Sequence, residues 1–343
     1  MPDISLTSVD KLELTRPHLR QLHALTEALS AEALPEDPPT PFELYERLMR
    51  IQPDHVDATV MLAHRGDRLV GRAVVSAASI GTNEHLVNLA FGVHPDERNQ
   101  GVGRRLLESV VDHTDLLGRT TMLFFTSERV GAGERFAERI GAKRGLVSHT
   151  NRLALADVDR DLLDRWLADG PRSASDYTIE WVPSPTPDDL LDDVISAYHV
   201  MNDAPREELD MDDDVLTPDV VRGWESAMVE SGSEKWCALA RHDTTGEVAG
   251  YTEVLFHPTH PTCVYQMGTA VAPAHRGHRL GKWLKATMLA RILDQRPERI
   301  DVRTENADSN GPMLDINNEL GFTPYIAECV WQITVDGARS VLA

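Results

Sequence analysis

Apolar residues along the chain follow two patterns that alternate with each other. Short stretches at 86–93 and 121–126 are rich in Val, Leu, Phe and Thr, which is typical of strands in a sheet. Between them, apolar residues recur at helical spacing over 102–117, with charged residues in the other positions. Further strands are predicted at 58–63 and 70–77, and a further helix at 131–140. Strands and helices that alternate in this way predict an α/β fold with a mixed sheet.

The same order of elements occurs twice. At an offset of 178 residues, five positions around a glycine-containing loop carry the same residue in both copies. They are Val93 and Val271, Pro95 and Pro273, Arg98 and Arg276, Gly103 and Gly281, and Leu106 and Leu284. In the second half the strands are predicted at 236–240, 248–256, 264–271 and 300–304, and the helices begin at Leu280 and near 309. A repeat at about half the chain length indicates a duplicated domain.

The boundary between the two copies is predicted near residue 170. Residues 158–169 have a helical pattern, and we expect Gly170 and Pro171 to end that helix. This predicts a first domain over 1–170 and a second over 171–343. With 343 residues in the chain, each domain is large enough to bury its own core.

Composition narrows the class of protein. The chain has 34 Lys and Arg against 55 Asp and Glu, a net charge of −21, which argues against a nucleic-acid partner and is compatible with a cationic substrate. No apolar run approaches the length of a membrane span, and the start of the chain lacks a secretory leader. The three cysteines give no disulfide framework, and no metal site is predicted. We therefore expect a cytoplasmic protein that does not bind membranes, as a monomer or a homodimer.

Each glycine-containing loop joins a predicted strand to a predicted helix. The first turn of a helix exposes unpaired N–H groups and binds anions, and glycine lets the backbone approach a phosphate closely. A nucleotide P-loop would need the pattern GxxxxGK[ST], and a dinucleotide-binding loop would need a third glycine, so neither pattern is present. A tight turn without a ligand is the remaining alternative.

The loop resembles motif A of the GNAT family (Gcn5-related N-acetyltransferases), which is written [QR]-x-x-G-x-[GA]. The first copy, Arg98–Gly103, matches the motif fully. The second copy matches it at Arg276 and Gly281, and Arg279 stands where the middle glycine is expected. The order of elements in each half is also similar to that family. The chain therefore resembles a tandem GNAT protein of the actinobacterial type, and more distantly mycothiol synthase.

This resemblance implies acetyl-CoA as co-substrate. The strand before each loop would bind the pantetheine, and the loop would bind the pyrophosphate. In the first half the implied residues are Val93, Arg98, Asn99, Gly101, Val102, Gly103 and Arg104. In the second half they are Ala270, Val271, Arg276, Gly277, His278, Arg279, Leu280, Gly281 and Lys282. Asn306 and Asn310 are expected to contact CoA as well, unless they serve as helix N-caps.

The resemblance also implies direct attack of an amine on the thioester, which needs a base, an oxyanion donor and an acid. Glu253 is the candidate base, because a carboxylate in an apolar strand would have a raised pKa. The alternative is a glutamate at the outer edge of the strand. His275 lies beside the second loop and is the candidate proton relay, with a surface histidine as the alternative.

The tyrosine that serves as the acid in this family is missing from both halves. Counting back from the glycine that ends the last helix places Asn317 at that position in the second half and Ala137 in the first. Tyr265 and Tyr325 are the candidate substitutes, although packed aromatic residues would explain them equally well.

Together these patterns predict a division of labour between the halves. The first half is expected to bind CoA or to serve a structural role, and the second is expected to acetylate the amine of a small molecule. The acidic segment 202–214 is expected to line the acceptor site and attract a cationic amine, or else to be a solvated loop. The alternatives are an inactive acyl-CoA-binding sensor or scaffold, and an acyltransferase for another acyl-CoA or for a protein amine.

Overall fold

A computed structural model describes residues 4–79 and 82–343, so Met1–Asp3, where the absence of a leader was inferred, lie outside the described residues. The described residues form twelve strands and ten helices. The strands are β1 Ile4–Asp10, β2 Val56–Arg65, β3 Arg68–Ala78, β4 Leu86–Val93, β5 Thr121–Ser127, β6 Lys143–Ala154, β7 Tyr177–Val182, β8 Glu234–His242, β9 Val248–Phe256, β10 Cys263–Val271, β11 Asp301–Ala307 and β12 Thr323–Thr334. The helices are α1 Arg16–Ala33, α2 Phe42–Met49, α3 Val102–Leu116, α4 Gly131–Arg139, α5 Arg160–Ser173, α6 Leu191–His199, α7 Pro218–Ser231, α8 Leu280–Gln295, α9 Gly311–Leu320 and α10 Val335–Leu342.

The chain forms two compact units that are not consecutive halves. Unit 1 contains the residues up to Val147 together with Arg206–Asp212 and Ala327–Ala343. Unit 2 contains Ser148–Pro205 and Asp213–Ile326. In unit 1 the strands lie in the order β1-β2-β3-β4-β5-β12, and in unit 2 the order is β6-β11-β10-β9-β8-β7. Each sheet is mixed, because β4 is parallel to β5 and β10 is parallel to β11 while the other pairs within each unit are antiparallel.

The closing strand of each unit comes from the other half of the sequence. In unit 1, Glu328–Thr334 of β12 pairs with β5. In unit 2, Ser148–Ala154 of β6 pairs with β11. This arrangement differs from a simple division at residue 170. Because the two halves repeat the same elements, the last strand of one half is able to close the sheet of the other.

Helix α5 does not end at residue 170, and this expectation from the sequence was wrong. The helix continues through Gly170 and Pro171 to Ser173. Proline removes one backbone hydrogen bond but does not forbid a last helical turn. Gly170 is held in the helix by packing, because a Cβ atom there would lie 2.3 Å from Cγ of Trp283 on α8.

The helices that follow the glycine loops are anchored in the two hydrophobic cores. Leu106 and Val110 of α3 are fully buried in unit 1, and Leu284 and Met288 of α8 are fully buried in unit 2. Burial of this apolar stripe fixes each helix, and with it the loop that precedes it. None of the helices in 4–79 and 82–343 is long and apolar enough to cross a membrane.

Candidate functional site

In each unit, two parallel neighbouring strands separate as they approach the glycine loop. The pairing of β4 with β5 runs from Leu86 to Leu89, and that of β10 with β11 runs from Cys263 to Gln266. The last residues of β4 and β10 pair only with the antiparallel strand on their other side. Val93, Ala270 and Val271, which were expected to contact the pantetheine, lie in these separated segments. The separation leaves backbone groups available to an extended ligand.

The two loops have the same backbone conformation although their glycines differ. Asn99 and Gly101 have left-handed φ angles of 58° and 85°, and Gly277 and Arg279, at the same repeat positions, have φ angles of 90° and 57°. Val102 and Leu280 then begin their helices, so the N–H groups of the first turn face the loop. A Cβ atom at Gly101 or Gly277 would meet nothing within 4 Å. An open loop with unpaired N–H groups fits a phosphate ligand.

The arginine that begins each motif anchors the loop to its strand. Nε of Arg98 donates to the carbonyl oxygen of Val93 at 3.2 Å, and Nε of Arg276 donates to that of Val271 at 3.1 Å. Both guanidinium groups are also paired with carboxylates. Arg98 forms a bidentate pair with Glu32 at 2.7 and 2.5 Å and holds the pKa of that carboxyl below its usual range, whereas Arg276 makes one contact with Asp203 at 3.2 Å.

Gly103 and Gly281 allow close packing of helices. A Cβ atom at Gly103 would lie 3.2 Å from the ring of Phe136, and one at Gly281 would lie 3.2 Å from Cδ1 of Ile316. These glycines therefore set the distance between α3 and α4 and between α8 and α9.

Basic residues surround the second loop at the edge of a cavity. Lys282 pairs with Glu319, and its ammonium lies 4.8 Å from the centre of the Trp166 ring. Arg279 and Lys282 line a cavity of about 400 Å³ together with Leu162, Arg165, Trp166, Asp169, Gly170, Trp283 and Glu319. In unit 1 the equivalent basic residue, Arg104, pairs with Glu108 on its own helix. His278, which was also expected to bind CoA, contacts the ring of Tyr177 and is not among the residues that line this cavity.

Strand β10 contains a bulge that β4 lacks. The pairing of β10 with β9 shifts between Gln266 and Thr269, whereas β4 pairs with β3 without a shift over Asn88–Val93. Gly268 lies in the bulge, and a Cβ atom there would lie 2.0 Å from the hydroxyl of Tyr251. A bulge turns backbone groups out of the ladder and is frequent beside active sites. In an acyl transfer, such N–H groups are suitable oxyanion donors.

Glu253 lies opposite this bulge, in polar surroundings rather than the apolar ones expected. Its Oε2 accepts a hydrogen bond from the Tyr198 hydroxyl and lies 3.3 Å from Nζ of Lys235, which donates to the same hydroxyl at 2.8 Å. Lys235 is 7% exposed, and burial raises the pKa of Tyr198. Oε1 of Glu253 makes no hydrogen bond with any residue that the structure describes. One carboxylate oxygen is thus held in place and the other is available to a ligand.

Asn317 belongs to a second buried polar group. Its Oδ1 accepts from Nζ of Lys285 at 2.6 Å, and its Nδ2 donates to Oδ1 of Asn306 at 2.6 Å. Asn317 is 1% exposed and Lys285 is 3% exposed. Burial lowers the pKa of Lys285 to about 7. Asn310 holds the N-cap position of α9 without a side-chain hydrogen bond to the helix.

His275 and the two substitute tyrosines do not join these groups. Nδ1 of His275 lies 3.0 Å from the hydroxyl of Tyr177, in a cluster of rings that includes His242. The hydroxyl of Tyr265 lies 2.6 Å from a ring nitrogen of His260, and Tyr325 lies beneath Arg152 and Arg303. The tyrosines near Glu253 are instead Tyr198, whose hydroxyl donates to it, and Tyr251, whose ring centre lies 5.4 Å from that of Tyr198.

Part of the acidic segment belongs to unit 1, although the whole segment was expected to line the acceptor site of the second domain. Residues 206–212 belong to unit 1. There the carboxylates of Asp210 and Asp212 lie 3.6 and 3.9 Å from the ring nitrogens of His85, and the backbone oxygen of Glu208 accepts from Gln332. These contacts assign that part of the segment to the packing of unit 1.

Replacement of Arg279 by glycine is expected to stabilise the protein by about 0.5–1 kcal/mol, because a side chain in the left-handed region costs about 1–2 kcal/mol. Asn99→Gly is the matched control, since Asn tolerates this conformation and should gain less. Urea unfolding of both variants measures the difference. Equal or smaller stabilisation by Arg279→Gly would contradict the strain assigned to Arg279.

Comparison with protein-family models finds two matches. Residues 57–141 match an acetyltransferase (GNAT) domain, and residues 194–312 match the acetyltransferase (GNAT) family. A comparison with curated proteins finds no match.

Solved structures of similar fold include GNAT proteins that align with this chain over almost their whole length. A tandem GNAT protein from the clavulanic acid biosynthesis pathway is 26% identical, with a TM-score of 0.77 over 97% of this chain and 99% of that one. A GCN5-related N-acetyltransferase from Sphaerobacter thermophilus is 13% identical, with a TM-score of 0.66 over 96% of each chain. A GNAT-family acetyltransferase from Colwellia psychrerythraea is 12% identical, with a TM-score of 0.54 over 96% of this chain and 99% of that one. The chain therefore consists of two GNAT domains in tandem and is an N-acetyltransferase, a class of enzyme that takes an acyl-CoA and an acceptor as its substrates.

Proposed function

We propose that unit 2 transfers the acetyl group of acetyl-CoA to the amine of a small molecule. The observation that carries this proposal is the bulge in β10 opposite Glu253. The N–H groups of the bulge and the Glu253 carboxylate would lie beside the point where β10 and β11 separate. Unit 1 has Val74 at the position equivalent to Glu253 and no shift in β4, so we assign it a structural role.

The loop and the separated strands would hold the CoA. Pyrophosphate oxygens would accept hydrogen bonds from the first turn of α8, with Arg279 and Lys282 nearby to balance the charge. The pantetheine would lie along the free edge of β10 at Ala270 and Val271. This arrangement brings the thioester toward the bulge.

Glu253 would take a proton from the bound ammonium through Oε1, since Oε2 is held by Tyr198 and Lys235. The amine nitrogen then forms a bond to the thioester carbon, and the carbonyl oxygen takes the negative charge, which the bulge N–H groups stabilise. The carbon–sulfur bond breaks, and its electron pair leaves with the sulfur. The thiolate takes up one proton, and the nitrogen gives up another to reach the neutral amide.

A panel of amines with acetyl-CoA tests this proposal. We expect that polyamines, amino sugars and amino acids include at least one acceptor that releases CoA thiol well above the acceptor-free rate, and that mass spectrometry finds one added acetyl group on it. Replacing acetyl-CoA with propionyl-CoA or succinyl-CoA measures the preference for the acyl chain. Binding of acetyl-CoA without release by any amine would contradict the proposal and favour a sensor or scaffold.

A further inference from the structure

Lys285 is a buried titratable group that the proposed reaction does not use. It lies on α8, 3% exposed, with the ring of Phe322 5.4 Å from its ammonium. Among the residues that the structure describes, Asn317 is its one hydrogen-bond acceptor, and no carboxylate pairs with it. Burial of a charge without a counterion is costly, so the position calls for a reason beyond packing.

The first half of the chain shows that the fold does not need this polar group. At the repeat positions of Lys285, Asn317 and Asn306, the first half carries Leu107, Ala137 and Thr126. Leu107 is 2% exposed and Ala137 is fully buried, so apolar residues fill the same place in unit 1. The polar group is confined to the unit that has the bulge and Glu253.

The three side chains form a chain of donors with a fixed direction. Nζ of Lys285 donates to Oδ1 of Asn317, which leaves Nδ2 of Asn317 as the end that donates to Asn306. Asn306 therefore uses its Oδ1 as an acceptor, and its Nδ2 is left to donate elsewhere. Asn306 lies on β11 two residues beyond Thr304, the last residue paired with β10, where the strands have separated.

We propose that Lys285 is a positioning residue which, through Asn317, fixes Asn306 as a hydrogen-bond donor to the sulfur of the departing CoA thiolate. The inference rests on the proposed function of unit 2. Lys285 transfers no proton in this step. The electron pair of the broken carbon–sulfur bond stays on the sulfur, whose charge the Asn306 amide stabilises by its hydrogen bond until a proton arrives from solvent. The Asn306 amide thereby stabilises the leaving sulfur in place of the tyrosine that this chain lacks.

The pKa of CoA thiol bound to the enzyme tests this inference without any acceptor amine. We expect thiolate absorbance to show a thiol pKa lowered by about one unit on the wild type relative to free CoA, a tenfold effect. Lys285→Leu and Asn317→Ala, the residues of the first half, should abolish that shift. They should also lower kcat roughly tenfold and change the KM for acetyl-CoA by less than about threefold. Asp294→Asn, an exposed change on the same helix, should leave the shift intact.

The two variants protect the test against misfolding, since Asn317→Ala breaks the chain of donors and leaves Lys285 in place. An unchanged thiol pKa on the wild type, or an equal shift in wild type and in the folded variants, would overturn the inference. Because only CoA is required, this result is separate from the amine panel. Failure of every amine would contradict the proposed reaction, whereas failure of the thiol shift would contradict the role of Lys285.

Discussion

Glu253→Gln is expected to lower kcat by about 100-fold or more, because removal of a positioned base costs roughly 10²–10⁴-fold in rate. The KM for acetyl-CoA should change little, since the carboxylate lies opposite the bulge and not on the loop. Glutamine keeps the size of the side chain and its acceptor oxygen but takes up no proton. Initial rates at saturating acceptor and acetyl-CoA measure the effect, with Glu230→Gln, an exposed change on α7, as control.

The same substitution also affects folding, so stability must be measured beside activity. Lys235 is 7% exposed, and removal of its carboxylate partner leaves an unpaired buried charge, which typically costs about 3–5 kcal/mol. The double variant Lys235→Met/Glu253→Gln removes both charges and should recover much of that stability without recovering the rate. A folded Glu253→Gln enzyme with at least one third of the wild-type kcat would exclude Glu253 as the base.

The elements around the loops could be predicted from sequence because their signals are local. Strands β4 and β9 have the predicted bounds, and Gly321 ends α9 with a left-handed φ of 93°. Thr217 caps α7 through the N–H of Val220, as an N-cap threonine before proline predicts. Each of these features depends on a few neighbouring residues, so no tertiary information is needed.

The exchanged closing strands could not be predicted, because both halves have a last strand and no local pattern says which sheet that strand completes. The choice depends on the connections of the folded chain. The continuation of α5 through Pro171 likewise depends on a contact with Trp283, more than a hundred residues away in sequence. A proline is a strong local signal, but packing of Gly170 against that ring outweighs it.

The sequence suggested candidate site residues only where a residue is unusual for its own position. Glu253 in an apolar strand and Asn317 in place of tyrosine drew attention, and both lie in buried polar groups. Their partners Lys235 and Lys285 were missed, because a single lysine in a strand or helix has the pattern of a solvated residue. The bulge was missed as well, since the sequence around Gly268 does not distinguish a bulge from a regular strand.

The unit that carries out the reaction can be identified by reversing one charge in the first turn of α8 and, separately, in the first turn of α3. Lys282→Glu and Arg104→Glu change the third residue of α8 and of α3, which occupy the same repeat position. An acidic residue in the first turn interacts favourably with the helix dipole, so neither change should weaken the helix itself. A carboxylate beside the loop would nevertheless repel a pyrophosphate bound there.

We expect Lys282→Glu to lower kcat/KM for acetyl-CoA by about 100-fold, as loss of a charge-assisted contact and gain of a repulsion together remove about 2.7 kcal/mol. Arg104→Glu should change it by less than about threefold, because unit 1 lacks the bulge and Glu253. The new carboxylate at 282 would lie near Glu319 and that at 104 near Glu108, so both variants gain a similar repulsion within the protein. Calorimetric titration with acetyl-CoA should show the loss of a site with Lys282→Glu. If turnover instead fails only with Arg104→Glu, the reaction belongs to unit 1, and the polar groups of unit 2 need another explanation.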